Sequence, residues 1–187
     1  MAGILMTDPG FGRGHTLGVK QTDQGTSVTG TQKAFSDSDP RTENAGKHLS
    51  NRPVTCLALR NMTGAAVEPG TVVAFSATDV LNAFDGSGSL QGVVDEYLPA
   101  VNKGTVDGVP NTYISGGCAD KDVCWVIVSG PTAVATTEAD GDIAAGIGVE
   151  ADGAVGDGTA DIGIAISPNA DGFVRTLVGT ISEHAIN

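Results

Sequence analysis

The residue types that perform covalent chemistry are few in this sequence and lie far apart along it. A Ser or Cys nucleophile needs a histidine and an acid positioned beside it, and the histidines are His15, His48 and His184. None of them falls in a segment whose pattern predicts a rigid catalytic loop, and the same scarcity weakens a zinc site built on Cys118 and Cys124. The sequence therefore predicts a protein that is not an enzyme.

Aspartates crowd the last third of the chain and suggest calcium, which prefers oxygen ligands. Their spacing fits neither the EF-hand loop nor the glycine-rich nonapeptide repeat, so solvated hairpin turns are their expected role. The residues concerned are Asp140, Asp142, Asp152, Asp157 and Asp161. A glycine cluster at Gly10–Gly14 follows no strand pattern and lacks the spacing of a dinucleotide or phosphate loop. We expect no metal and no cofactor.

The charge balance argues against nucleic acid as the partner. The 187 residues include 10 Lys and Arg against 22 Asp and Glu, a formal net charge of −12, and such a chain repels phosphate backbones. No apolar run approaches the roughly 18–20 residues that span a bilayer, and the first residues do not resemble a secretion signal. We expect neither direct nucleic-acid binding nor a membrane.

The three cysteines, Cys56, Cys118 and Cys124, form an odd set in a chain too large to need disulfide staples. Reduced thiols in a protein assembled in the cytoplasm are the expected state. Spacing alone leaves a Cys118–Cys124 bridge open.

The composition changes near residue 53. Val, Ile, Leu and Phe make up 8 of the first 53 residues but 36 of the remaining 134, and the formal charge is +1 before the break and −13 after it. We predict an extended N-terminal arm over residues 1–53 and a β domain over 54–187 that folds without the arm. Fixing each backbone residue costs roughly 1–2 kcal/mol, so the arm is expected to dock on a partner or on sister subunits. An arm folded back on its own domain is the alternative.

From Val54 onward, short β-branched runs alternate with turn signals, the pattern of a small antiparallel β-sandwich or barrel. Val123–Val128 is apolar on both faces and predicts a central strand that ends at Ser129–Pro131, with Pro131–Thr136 continuing after a kink. Thr78–Phe84 predicts a short helix or a helical turn. Other strands are expected at Val54–Arg60 and Thr71–Phe75, and turns at Ala139–Gly141, Ala151–Gly153 and Ala170–Gly172.

Several of these segments carry a resemblance to a known family. Gly92–Pro99, Gly108–Pro110 and Cys124–Pro131, preceded by Val67–Val73, resemble the head decoration, or cement, proteins of tailed bacteriophages. The resemblance covers roughly residues 54–181 and rests on strand and turn patterns. It implies a β-tulip-like or jelly-roll-like domain that is not enzymatic and is bound outside the shell as a trimer or dimer.

The resemblance also implies a function, a location and partners. The protein is expected to be made in the host cytoplasm and to lie on the outer surface of the virion capsid. There it would bind the major capsid protein at capsomer junctions and stabilise the mature shell against internal DNA pressure. A homotrimer is the expected assembly, with a dimer as alternative. The arm residues expected to contact the shell are Ile4, Leu5, Phe11, Arg13, Leu17, Val28, Phe35, Arg41, Leu49 and Arg52.

The alternative from another class is an adhesion module on a virion or cell surface that binds host glycans through loop aromatics. Tyr97 and Tyr113 flank a loop bearing Gly and Pro and could supply such contacts. Copy number distinguishes a cement protein from an adhesion module, because only the cement protein should match the major shell protein in abundance.

Overall fold

The computed structural model describes residues 29–39, 47–95, 105–106, 109–110, 118–151, 153–154 and 162–179. Within these ranges the protein is all-β and has no helix, and so no helix long and apolar enough to cross a bilayer. The strands are β1 (Gln32–Asp39), β2 (Lys47–Asn61), β3 (Val72–Ala74), β4 (Ala83–Phe84), β5 (Gln91–Val94), β6 (Thr105–Val106), β7 (Val109–Pro110), β8 (Val123–Ala135), β9 (Gly148–Val149), β10 (Gly163–Ala165) and β11 (Phe173–Val178). The all-β prediction is confirmed.

Nine of the strands form one sheet, in which β1-β2-β8-β11-β10-β9 is the main order. β5 pairs with β8 and carries β3 on its other side. The pairings are antiparallel except that of β2 with β4, which is parallel. β6 and β7 form a separate pair.

The long strand β8 is the centre of the sheet because three strands pair with it. Up to Ser129 it pairs with β2 along one edge. On the other edge β5 pairs with Val126 and Ile127, and β11 pairs from Gly130 onward. β11 and β5 therefore occupy successive parts of one edge. Gly179, with φ +74°, follows the last residue of β11 and lies against the backbone of β8 so closely that a Cβ atom there would clash.

The predicted end of the central strand at Ser129–Pro131 was wrong, because β8 runs through these residues, and the predicted strand from Pro131 onward is confirmed as far as Ala135. Gly130 makes this continuation feasible. It adopts φ +110°, and a Cβ atom there would lie 2.4 Å from the carbonyl oxygen of Pro53. Only glycine combines this backbone conformation with so close an approach of β2.

The first half of β8 is buried on both faces, as its unbroken apolar run predicts. Val123, Trp125 and Ile127 enter one core cluster, and Cys124 and Val126 enter another. Successive side chains of a strand point to opposite faces, so the two clusters lie on opposite sides of the sheet. A third cluster is built around the second half of β8 with β9, β10 and β11.

The structure differs from the predicted arm over residues 32–53, because the described part of this segment belongs to the sheet. β1 pairs antiparallel with β2 from Gln32↔Leu57 to Ser36↔Pro53. The Phe35 ring meets the Trp125 ring edge to face, with centroids 5.4 Å apart and planes at 74°. Composition missed this strand because a strand is held mainly by backbone hydrogen bonds and needs few apolar side chains.

Asp37 connects the same strand to β11, which lies beyond β2 and β8 in the sheet. Its side chain is fully buried and accepts a hydrogen bond from the Arg175 guanidinium of β11 at 2.5 Å. Deletion of residues 1–50 would remove both Asp37 and Phe35, so we expect residues 54–187 alone to be less stable than the full chain.

The turn predictions agree with the structure wherever it describes them. Asp171 and Gly172 both have positive φ and close the tight Ala170–Phe173 turn. In the segment predicted as a short helix or helical turn, one helical turn forms, in which the Ala83 amide donates to the Asp79 carbonyl at 3.0 Å.

Candidate docking surface

A cleft of about 450 Å³ opens beside the end of β2. Three segments contribute to it: Thr29, which lies three residues before β1, the end of β2 with the residue that follows it, and the chain from the loop after β3 to Asp85. The lining residues are Thr29, Arg60, Met62, Ser76, Thr78, Asp79, Asn82, Ala83 and Asp85. The cleft therefore lies where the described chain begins.

Hydrogen bonds hold the three segments of the cleft together. The Asn82 side-chain amide donates to the Asp79 carboxylate at 2.7 Å, which fixes the helical turn. The Arg60 amide donates to the Asn82 carbonyl at 2.8 Å, and the Gly30 amide donates to the Ala58 carbonyl at 2.8 Å. The cleft is thus built on the sheet itself and not on a free loop.

The charged groups of the cleft are engaged in structural bonds. The Arg60 guanidinium donates to the Lys121 carbonyl at 2.7 Å. The Asp85 carboxylate accepts from the Ser87 hydroxyl at 2.6 Å and from the Ser87 amide at 2.9 Å. These bonds, with a smaller contribution from the Ser76 hydroxyl, lower the pKa of Asp85. A carboxylate with a lowered pKa is a weak general base.

Exposed apolar side chains border the cleft. Met62 is 47% exposed, and Val80 and Leu81, on the turn between the lining residues Asp79 and Asn82, are 38% and 64% exposed. We call Met62, Val80 and Leu81 the apolar rim. Met62 lines the cleft itself, whereas Val80 and Leu81 lie between two lining residues in the sequence.

The structure describes only some of the arm residues predicted to contact a shell, and it places them in different environments. Phe35 packs half-buried against Trp125 inside the domain. Leu49 is 40% exposed, and Arg52 is exposed beside a shallow groove that also includes Ser36 and Pro53. The remaining residues lie outside the described ranges: Ile4, Leu5, Phe11, Arg13, Leu17, Val28 and Arg41.

The described aspartates of the last third support turns. The Asp140 carboxylate accepts from the Asp171 amide at 3.0 Å. Buried Asn169 organises the same region, because its Oδ1 accepts from the amides of Gly141 and Ile143 and its Nδ2 donates to the carbonyls of Glu138 and Ala139. In the part of the chain that the structure describes, no group of three His, Cys, Asp or Glu side chains could hold a metal ion. Asp152, Asp157 and Asp161 lie outside that part.

Asn61 has a structural role that the sequence analysis did not identify. Its side chain is fully buried, and Nδ2 donates to the carbonyls of Ala65 and Cys118 at 2.7 and 2.8 Å. Oδ1 accepts from the Thr63 amide and hydroxyl. The residue joins the end of β2 to the segment before β8. The residues next to Asn61 in the sequence carry no signal of that long-range contact.

Comparison with protein-family models and with curated proteins finds no match to this chain. Tyr97 and Tyr113, the aromatics considered for glycan binding, lie outside the described ranges. Among the aromatic side chains that the structure describes, Phe75, Phe84 and Trp125 are buried and Phe173 is 41% exposed.

Proposed function

We propose that this protein is a capsid decoration protein of a tailed bacteriophage, which binds the outer surface of the head at capsomer junctions and stabilises the mature shell. The observation that carries the proposal is the position of Thr29. Twenty-eight residues precede it, and Thr29 lines a cleft bordered by the apolar rim. Residues 1–28, proposed to bind the shell, would thus join the domain at the cleft, whose apolar rim is proposed to bind the shell as well.

The apolar rim supplies a binding energy of useful size. Complete burial of one apolar side chain is worth about 1.5–3 kcal/mol, and the three rim residues are roughly half exposed. Covering all three contributes about 3 kcal/mol, close to a hundredfold in Kd. Binding to the expanded shell but not to its precursor stabilises the expanded form by mass action, and many copies share the effect.

The fold proposed for the domain is a small sandwich or barrel, and Gly70 supports it. The Gly70 amide donates to the Val94 carbonyl at 2.8 Å, and its own carbonyl accepts from the Ala135 amide at 2.9 Å. These two bonds connect the β3–β5 part of the sheet with the last residue of β8, a contact that a curled sheet would bring about.

The proposed assembly is a homotrimer on the virion, in contact with the major capsid protein. Linking several arms and rims in one oligomer raises the avidity for the shell far above that of a single copy. The acidic charge of residues 54–187, −13 in total, keeps decorated particles soluble and mutually repulsive.

Copy number on purified particles is the first test. We expect particles from a culture that produces this protein to contain it at about the abundance of the major shell protein, measured by quantitative mass spectrometry. Absence from the particles contradicts the proposal. A few copies per particle, together with binding of the isolated protein to host cells, would support a glycan-binding adhesin instead.

A second test uses cosedimentation with particles stripped of the protein. Leu81→Asp should weaken binding at least tenfold, whereas Ile166→Asp, at another residue of similar chemistry that is 44% exposed, should not. A chain beginning at Thr29 keeps β1 and should fold but bind more weakly than the full chain. Equal binding by the Leu81→Asp and Ile166→Asp variants would remove the apolar rim from the interface.

A further inference from the structure

The sheet separates the three cysteines into one pair and one single residue. Cys118 and Cys124 belong to the same core cluster, whereas Cys56 belongs to the cluster that contains Trp125. Cys124 and Trp125 are successive residues of β8 and point to opposite faces. Of the three conceivable intrachain pairings, the topology therefore brings together only Cys118 and Cys124.

The two paired thiols are close but differ in how firmly their backbone is held. The Cys118 and Cys124 side chains lie in the same core cluster, with Leu59 and Val126, and the Cys118 Sγ donates to the Asp122 carbonyl at 3.7 Å. Cys124 lies inside the long strand β8, opposite Leu59. Cys118 is held by an isolated bridge to Val67, with hydrogen bonds of 2.7 and 2.9 Å.

This difference decides which thiol becomes accessible first. Opening Cys118 requires loss of the two Val67 hydrogen bonds and of the Asn61 bond to the Cys118 carbonyl. Opening Cys124 requires β8 to separate from its neighbours, which approaches global unfolding. Local opening should therefore expose Cys118 far more often than Cys124.

In the closed state the pair is unreactive. All three thiols are buried, and burial, followed by the contact with Cys118, raises the pKa of the Cys124 thiol. Because the thiolate is the reactive form, chemistry at the pair depends on opening.

We propose that Cys118 and Cys124 are a latent disulfide site, which closes by exchange with a small-molecule disulfide such as oxidised glutathione. The Cys118 thiolate attacks the glutathione disulfide, forms a mixed disulfide and releases one glutathione thiolate. The Cys124 thiolate then attacks the Cys118 sulfur and releases the second glutathione. Two protein thiols are oxidised, one glutathione disulfide is reduced, and the two protons end on the released glutathiones.

The bond would fasten the Cys118 segment to the central strand. A reducing cytoplasm keeps the two thiols reduced, and an oxidising exterior allows the disulfide to form. The biological setting, a particle stabilised after release from the cell, rests on the proposed function. The chemistry does not, because it can be tested on the isolated protein.

The test uses folded Cys56→Ser protein, which leaves only the pair, incubated in glutathione buffers of increasing oxidised fraction. Intact-mass spectrometry should show loss of two hydrogens without glutathione attached, and Tm should rise by about 5–10 °C. Two free thiols under fully oxidising conditions, or a disulfide that joins two chains, would overturn the proposal.

The order of attack is tested by trapping. In Cys56→Ser/Cys124→Ala protein, Cys118 should retain one glutathione, because no second thiol is present to displace it. In Cys56→Ser/Cys118→Ala protein, Cys124 should take up glutathione at least tenfold more slowly. Equal rates in the two variants would show that Cys118 is not the accessible thiol and would refute the mechanism, even if the disulfide forms.

Discussion

Asp37 offers the sharpest test of where the folded domain begins. Its fully buried carboxylate pairs with Arg175, whose side chain is 23% exposed. Removing one partner of a buried ion pair costs about 3–5 kcal/mol because the other charge stays uncompensated. Since the Arg175 guanidinium partly reaches water, we expect Asp37→Ala to destabilise the protein by about 2–3 kcal/mol.

The measurement is urea unfolding followed by the fluorescence of Trp125, the single tryptophan, which is buried beside Phe35. Asp142→Ala is the matched control, because Asp142 is exposed and should change stability by less than about 0.5 kcal/mol. In a double-mutant cycle, Asp37→Ala and Arg175→Ala should be strongly non-additive. If Asp37→Ala is as stable as the control, the Asp37–Arg175 ion pair does not stabilise the domain and the expected cost is refuted.

Two further changes probe the loops of the sheet. Ser87→Ala removes the largest cause of the lowered pKa of Asp85, so that pKa should rise toward its ordinary value of 3.8 in an NMR titration; an unchanged value contradicts this. A lowered pKa stabilises the folded state above the unfolded value, and this effect is lost as pH falls through the folded value, so the variant should be less stable than the wild type near neutral pH and the difference should vanish in strongly acidic solution. Asn169→Ala deletes four hydrogen bonds and should cost about 2–4 kcal/mol, with faster hydrogen exchange at the Ile143 amide; unchanged exchange there would show that the loop does not depend on Asn169.

Local pattern predicted the elements whose signal lies in neighbouring residues. The apolar run at Val123–Val128 became the buried first half of β8, because a strand covered on both faces has no polar side to display. The turn at Ala170–Gly172 was recognisable because Asp and Gly tolerate positive φ. The end of β8 was misplaced because a glycine can mark either a turn or a close approach of another strand, and only the neighbouring Pro53 distinguishes the two at Gly130.

Contacts between residues far apart in the chain could not be predicted from local sequence patterns. The pairing of β1 with β2 converts part of a segment too poor in apolar residues to fold alone into the edge of a sheet. The cleft and its apolar rim likewise combine Thr29 with Met62 and the turn at Val80 and Leu81, and no local signal relates these positions.

The sequence by itself determined the all-β character that the described residues show, because β-branched runs and turn residues impose their conformations locally. It also indicated that the histidines, cysteines and aspartates do not follow a known catalytic or metal-binding spacing. Only the tertiary structure decided that Phe35 and Asp37 belong to the domain and that Cys118 meets Cys124 and not Cys56. The reason is physical: these facts depend on which strands pair and on which face each side chain emerges, and strand pairing is settled by contacts between residues far apart in the chain.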